Sequence, residues 1–188
     1  MTERVARPFT TIGHSNRSLA QFCALLAQAG VQQVVDVRKM PRSRANPQFN
    51  GDRLAVDLAA RGIGYTYAAA LGGLRGRNPQ VPPAVNGRWS NRSFHHYADY
   101  ALSGAFRAGL ERLIEDGRAQ ACTVMCAEAV WWRCHRRIIA DYLLARGEQV
   151  LHIMGDDRLQ PARLTDGAMP QADGTIHYPA PVDIDVDD

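Results

Sequence analysis

Short segments of apolar, β-branched and aromatic residues recur along the chain and predict β-strands. Residues 31–37 (VQQVVDV) are the clearest case, because a nearly continuous apolar run is typical of a strand that is buried on both faces of a sheet. The predicted strands cover residues 9–12, 31–37, 62–67, 119–125 and 149–154.

Segments with apolar residues at helical spacing separate these strands. Ser18 and Gln21 form a capping-box pattern, so a helix is expected to begin after Ser18 and to continue to residue 28. Further helices are predicted over residues 52–61, over about 20 residues from Ser93, and over 132–146. Because strands alternate with helices, the pattern predicts a single α/β domain with a Rossmann-like three-layer arrangement, in which a mainly parallel five-stranded sheet has helices on both faces.

Two segments lack the periodicity of these helices and strands. The domain is predicted to cover residues 1–155, whereas residues 156–188 have few apolar side chains and end in DIDVDD, which predicts an acidic, weakly structured C-terminal extension. Within the domain, residues 71–92 are rich in Gly, Pro, Asn and Arg. A loop of this length is typical of a lid or recognition arm, or of a flexible surface segment.

The composition is that of a folded globular chain. Of 188 residues, 46% are apolar and 22% are charged, which excludes collagen, coiled coil and disorder for most of the chain. No apolar run is long enough to span a bilayer, and residues 1–11 lack the apolar core of a secretory signal. We therefore expect a cytoplasmic protein without membrane contact, whose four cysteines are reduced thiols.

The net charge of +3 conceals an uneven distribution of charge. Residues 1–155 carry 20 Lys and Arg against 11 Asp and Glu, and residues 156–188 carry 2 against 8. Residues 36–92 are the most basic, with ten cations and three acids, which suits a phosphate-bearing or otherwise anionic partner. Because 21 of the 22 cations are arginine, the codon usage of a GC-rich genome is an alternative explanation.

Chemically active side chains follow several of the predicted strands. In parallel sheets, ligands bind beyond the carboxyl ends of the strands, at the point where the strand order reverses. We therefore expect His14 and Cys126 to be neighbours at this point. The residues at the strand ends are His14 and Ser15 after the first strand, Asp36, Arg38, Arg42 and Ser43 after the second, and Cys126 and Glu128 after the fourth.

These residues belong to short motifs that occur in a fixed order. The motifs are GHS (13–15), DVR (36–38), PRS (41–43), LGG (71–73), FHHYA (94–98), MCAE (125–128) and CHR (134–136). Together they resemble domain-of-unknown-function family 488, over residues 10–153. The resemblance implies a fold and a site, but no reaction, because the family has no established activity.

Cys126 is the candidate nucleophile. A thiol at the end of a strand and before a helix is activated when a helix N-terminus and nearby cations lower its pKa, and His135 is placed to serve as its base. The alternative is a small buried apolar side chain, the common fate of a free cysteine. Cys126 is expected to react faster than the other three cysteines, which are Cys23, Cys122 and Cys134.

Glu128 and Asp36 are the candidate catalytic carboxylates. The apolar neighbours of Glu128 suit a general acid or base, although the carboxylate can equally pair with Arg38 or Arg136. Asp36 can act in the same way, or it can pair with Arg38 or orient His14, the fourth catalytic candidate.

Arginine side chains near the same strand ends suit an anion site. If Arg38, Arg42 and Arg136 converge, we expect a sulfate or phosphate to bind there, with an affinity that falls with added salt, because guanidinium groups bind oxyanions through paired hydrogen bonds. The candidate substrate-binding residues are Ser15, Arg38, Arg42, Ser43, His135 and Arg136.

No cofactor and no metal are expected. The chain has neither the P-loop of ATP-binding proteins nor a GxGxxG segment for NAD. The spacing Cys-x7-Cys-His is not that of a zinc knuckle, which disfavours a structural zinc. A catalytic metal held by His14, Asp36 and Glu128 stays an alternative. The acceptable zinc ligands are Cys126, Cys134, His135 and His14.

Two classes of function agree with these residues. The first is a hydrolase or group transferase that acts on a small anionic substrate, such as a nucleotide or a modified base, at the carboxyl edge of the sheet. The second is a binding module that recognises nucleic acid or a nucleotide without chemistry. A binding module needs arginines and aromatic side chains, but it has no need of Glu128, Cys126 and His14 at one edge, which favours the enzyme.

Overall fold

A single sheet forms the centre of the protein. The structure is a computed structural model that describes residues 7–155 and 158–181. Its strands are β1 (Phe9–Gly13), β2 (Gln33–Asp36), β3 (Gly64–Tyr67), β4 (Cys122–Cys126), β5 (Val150–Gly155) and β6 (Arg158–Pro161). They are ordered β3-β2-β4-β1-β5-β6, with β1 to β5 parallel and β6 antiparallel to β5.

Helices cover both faces of this sheet. Val34 and Val35 are adjacent in β2 and point to opposite faces, so each belongs to a different apolar core. The core around Val34 includes Phe22 of α1 and Leu54 of α2, whereas the core around Val35 includes side chains of the other three helices. The helices are α1 (Leu19–Gln28), α2 (Gly51–Ala59), α3 (Arg92–Ala101), α4 (Gly104–Ala119) and α5 (Arg136–Ala145). The predicted three-layer α/β fold is confirmed.

Two predicted helices differ from those observed. The helix expected from Ser93 is two helices, α3 and α4, because the Ser103 side chain accepts a hydrogen bond from the Phe106 amide and caps the second helix. The helix expected over 132–146 begins at Arg136, after a single 3-10 turn. Within the described part of the chain, no helix combines the length and apolar character that a membrane span requires.

The C-terminal segment has more structure than its composition predicted. Residues 158–161 form β6, and β7 (Met169–Pro170) pairs with β8 (Ile176–His177). Tyr178 is fully buried and donates a hydrogen bond to Oδ2 of Asp141 at 2.9 Å. A few well-placed contacts thus dock a segment with little apolar content. The acidic end, residues 182–188, and the first six residues lie outside the described part of the chain.

The strand order reverses between β1 and β4. The chain leaves β1 towards β2 on one side, and it leaves β4 towards β5 on the other. The two strands are paired in register, with Gly13 opposite Cys126 at their carboxyl ends. This is the position at which parallel α/β sheets bind ligands.

Candidate functional site

A cavity of about 500 Å³ opens at the carboxyl ends of β1, β2 and β4. Seven of the predicted site residues line it: His14, Arg38, Arg42, Ser43, Cys126, Glu128 and His135. Ser15, Asp36 and Arg136 do not line it. The structure therefore brings most, but not all, of the predicted residues to one site.

His14 and Cys126 are neighbours, as predicted. The His14 amide donates a hydrogen bond to the Cys126 carbonyl at 2.8 Å. The close approach of these strand ends requires a glycine at position 13, because a Cβ there would lie 1.7 Å from the carbonyl oxygen of Glu128. The glycine of the GHS motif thus allows the two loops to meet.

Two thiols and an imidazole form a cluster at the inner wall of the cavity. Nδ1 of His135 lies 4.0 Å from Sγ of Cys126 and 3.6 Å from Sγ of Cys134. The other ring nitrogen, Nε2, lies 2.9 Å from the Val37 carbonyl, which can only accept a hydrogen bond. Nε2 therefore carries the proton, and the Nδ1 lone pair faces both sulfurs. We call these three residues the sulfur–imidazole cluster.

Arg136 lies behind this cluster, with 1% of its surface exposed. Its Nε donates to Sγ of Cys134 at 3.3 Å, and its other groups donate to the Thr11 hydroxyl and to the main-chain carbonyl of Glu128. In residues 7–155 and 158–181, Arg136 forms no ion pair with a carboxylate. Arg136 does not converge with Arg38 and Arg42, as a shared anion site would need, because its guanidinium is directed at a sulfur inside the protein.

The electrostatic setting favours Cys134 over Cys126 as the thiolate. Burial acts to raise the pKa of Cys134, but the hydrogen bond from Cys126 and the charge and hydrogen bonds of Arg136 outweigh it and lower the pKa to about 6. The hydrogen bond to Cys134, together with burial, raises the pKa of Cys126 to about 12. These directions disfavour Cys126 as the most reactive cysteine, because Cys134 is the thiol beside both a cation and the N-terminus of α5.

Asp36 is an anchor for Arg38 and has no free oxygen for general-base work. It is completely buried, and its carboxylate accepts hydrogen bonds from the main chain and guanidinium of Arg38 and from the Tyr65 hydroxyl. Arg38 in turn donates a hydrogen bond to Nε2 of His14 at 3.3 Å. The ring proton of His14 therefore lies on Nδ1, which donates to the Ser15 carbonyl. Asp36 therefore positions Arg38 and, through it, His14.

His14 is neutral in this setting. Burial and the positive charge of Arg38 lower the pKa of His14 to about 4, against the opposing effect of its hydrogen bond to the Ser15 carbonyl. Its ring stacks on Phe49 with the centroids 4.3 Å apart. His14 thus offers a fixed, uncharged imidazole at the wall of the cavity.

Glu128 lies at the mouth of the cavity, and its side chain is exposed rather than set among apolar groups. Neither of the predicted ion pairs forms, because the Arg38 guanidinium is bound to Asp36 and Arg136 contacts only the Glu128 main chain. The described residues contain one set of donor atoms close enough to hold a metal, and it is the sulfur–imidazole cluster. The proposed set of His14, Asp36 and Glu128 is not assembled.

Several lining residues were missed by the sequence analysis. Lys39 and Arg133 adjoin predicted residues, and with Arg42 they form a group of exposed cations that we call the basic rim. The first turns of α3 add Phe94 and Tyr97 to the wall. The FHHYA motif was the available signal for the two aromatic side chains, whereas Lys39 and Arg133 had no signal beyond the basic character of their surroundings.

The fold and the cavity define a three-layer α/β protein with a basic, thiol-lined cleft at the reversal of its strand order. The chain belongs to the family described as domain of unknown function DUF488, whose family model matches residues 18–143. This confirms the resemblance carried by the motifs. Comparisons with curated proteins and with solved structures found no match.

Proposed function

We propose that the protein is a hydrolase or group transferase that acts on a small anionic substrate, such as a nucleotide or a modified base. The observation that carries the proposal is that the basic rim and the sulfur–imidazole cluster line the same cavity. A site that only binds an anion has no need of two thiols and an imidazole at its inner wall. The four unpaired cysteines suit a reducing compartment, and we place the activity in the cytoplasm.

The charge of the lining supports an anionic substrate. The basic rim faces one carboxylate of the lining, that of Glu128. In the described part of the chain, Arg42 and Arg133 form no ion pair, so both guanidinium groups are available to a ligand. Two arginines beside a lysine are well suited to a phosphate, because the guanidinium fork matches two of its oxygens.

The size and the aromatic wall support a substrate with a planar part. A cavity of about 500 Å³ lies within the range of small-molecule sites. Phe94 is half-buried at its wall and stacks on Trp89, with the ring centroids 5.0 Å apart. A nucleobase can pack against such a supported ring while its phosphate meets the basic rim.

The sulfur–imidazole cluster supplies the reactive group. His135 Nδ1 faces both sulfurs, and in the neutral ring, whose Nε2 proton is donated to Val37, it can accept a proton from a nucleophile in the cluster. The nucleophile is a thiolate of the cluster or a water molecule that the cluster activates. Either one attacks the electrophilic centre of a substrate that the basic rim holds, the bond from that centre to the leaving group breaks, and the leaving group takes up the proton from His135 or from water.

Turnover of defined anions tests the proposal. The protein is incubated with nucleoside mono-, di- and cyclic phosphates, and products are separated by liquid chromatography. We expect conversion of at least one compound, loss of conversion in Cys134→Ser, and a raised KM in Arg133→Gln. Arg112→Gln is the matched control, because Arg112 is an exposed arginine of α4 outside the cavity.

The alternative function is a nucleotide or nucleic-acid binding module, which the basic rim and Phe94 also suit. Calorimetric titration with the same nucleotides and with a single-stranded oligonucleotide separates the two. Binding that Arg133→Gln weakens, without conversion of any compound, overturns the enzyme and supports the module. Absence of both binding and conversion overturns the two together.

A further inference from the structure

We propose that Cys126, Cys134 and His135 hold a zinc ion, with its fourth coordination position open to the cavity. The three donor atoms lie within 4.8 Å of one another, and all three residues line the cavity. The metal site rests on these donors alone, whereas the catalytic use of the ion rests on the proposed function.

The two sulfur–nitrogen separations are close to those of a tetrahedral zinc centre, and the two sulfurs lie within 4.8 Å of each other. Zinc bonds of about 2.3 Å to sulfur and about 2.0 Å to nitrogen separate a sulfur ligand from a nitrogen ligand by about 3.5 Å, and two sulfur ligands by about 3.8 Å. His135 Nδ1 lies 3.6 Å from Sγ of Cys134 and 4.0 Å from Sγ of Cys126. An ion placed between the three donor atoms needs side-chain shifts on the order of 0.5 Å.

The imidazole is already in the form that a metal requires. Its Nε2 proton is fixed by the Val37 carbonyl, and this outer hydrogen bond is the usual partner of a metal-bound histidine. Gly73 passes close to the ring, since a Cβ there would lie 2.8 Å from Nδ1. The Nδ1 lone pair therefore points at the two sulfurs without rearrangement.

The surroundings stabilise metal-bound thiolate. Arg136 donates to the sulfur of Cys134 from both its main-chain N–H and its Nε, which is the role of outer-shell groups in thiolate sites. When zinc binds, any proton still held by a cluster thiol, above all that of Cys126, is released to solvent, and the two thiolates balance the charge of the ion. The buried guanidinium then faces a coordinated sulfur instead of an unpaired one.

The chemistry of the donors selects the metal. Two sulfurs and one imidazole nitrogen suit zinc, whereas magnesium and calcium require oxygen ligands. Three protein ligands with an open fourth position are the arrangement of catalytic zinc sites, in which the fourth position takes water or a substrate oxygen. Spacing along the chain gave no sign of this, because Cys126 ends a strand and the other two ligands precede a helix.

Metal binding to the reduced, chelator-treated full chain tests the site. Zinc affinity is measured by competition with a chromophoric chelator, and cobalt(II) is added as a spectroscopic probe of sulfur ligation. We expect one zinc per chain, sulfur-to-cobalt charge-transfer absorption and the visible bands of tetrahedral cobalt. Loss of an outer-shell partner alone costs about 10–100-fold in affinity, so Cys126→Ser and His135→Gln are each expected to lose at least about 100-fold.

Cys122→Ser is the matched control, because Cys122 lies in the same strand as Cys126 but outside the cavity. Circular dichroism confirms that each variant is folded, and two separate ligand variants guard against the loss of one of them. Substoichiometric zinc, or equal affinity in Cys126→Ser, His135→Gln and Cys122→Ser, overturns the site. Nucleotide turnover that persists in chelator-treated protein overturns the catalytic use of zinc but leaves the proposed function intact. Tight zinc binding without any turnover supports the metal site and counts against the proposed function.

Discussion

Replacing Asp36 by asparagine removes the charge that compensates a buried arginine. Asp36 is 0% exposed and Arg38 is 4% exposed, and Nε of Arg38 lies 2.9 Å from Oδ1 of the carboxylate. Asparagine also turns an NH2 group towards the Arg38 guanidinium or the Tyr65 hydroxyl, where an acceptor is needed. Breaking one partner of a buried ion pair costs about 3–5 kcal/mol, which corresponds to a fall in Tm of about 2–4 °C for each kcal/mol in a chain of this size.

Urea denaturation followed by circular dichroism measures this loss. Asp116→Asn is the matched control, because Asp116 pairs with the exposed Arg112 at 3.8 Å, a surface pair expected to contribute at most about 1 kcal/mol. The double variant Asp36→Asn/Arg38→Met is expected to be more stable than Asp36→Asn, since it leaves no unpaired buried charge. Equal losses in Asp36→Asn and Asp116→Asn would show that Asp36 does not anchor Arg38 in the way the structure indicates.

Two further predictions concern His135 and His152. Gly73→Ala places a Cβ 2.8 Å from His135 Nδ1 and is expected to cost about 1–3 kcal/mol in thermal melts. Gly76→Ala is the control, because a Cβ there has open space around it. Equal melting temperatures of the two variants would contradict the close contact between Gly73 and His135. Burial and the nearby Arg136 charge lower the pKa of His152 from 6.5 to about 4, so the unfolded chain takes up the proton first and stability falls as the pH drops from 6.5 to 4. His152→Gln is expected to show a smaller loss over this range in urea melts at several pH values, and an unchanged slope would contradict it.

The sheet, and the point at which its strand order reverses, could be predicted from the sequence. The observed strands β2 (Gln33–Asp36) and β4 (Cys122–Cys126) are buried on both faces, so the apolar runs that predict them stand out from the amphipathic helices between them. The carboxyl ends of parallel strands share one edge, so the proximity of His14 and Cys126 followed from strand order without any knowledge of side chains.

The hydrogen-bond and ion-pair partners of individual side chains could not be predicted from the sequence. Whether the guanidinium of Arg136 faces solvent or a sulfur depends on its rotamer and on the loop before α5, neither of which leaves a periodic trace in the sequence. The same holds for Asp36, whose carboxylate is fully used by neighbours on β2 and β3. The docking of Tyr178 was missed for a related reason, because one buried ring and one hydrogen bond to Asp141 do not change the composition of the segment.

The two cavity thiols are the proposed functional centre, and alkylation of the four cysteines distinguishes them from the other two. Reduced, metal-free protein is treated with iodoacetamide at neutral pH, and the modified cysteines are ranked by peptide mapping, with and without one equivalent of zinc. Static exposure alone would place Cys23, at 8%, ahead of Cys134, at 3%. We expect instead that Cys134 reacts first, because it lines the cavity and its pKa is lowered to about 6, and that zinc protects it. Faster modification of Cys23 or Cys122, with no effect of zinc on the other two, would contradict this expectation.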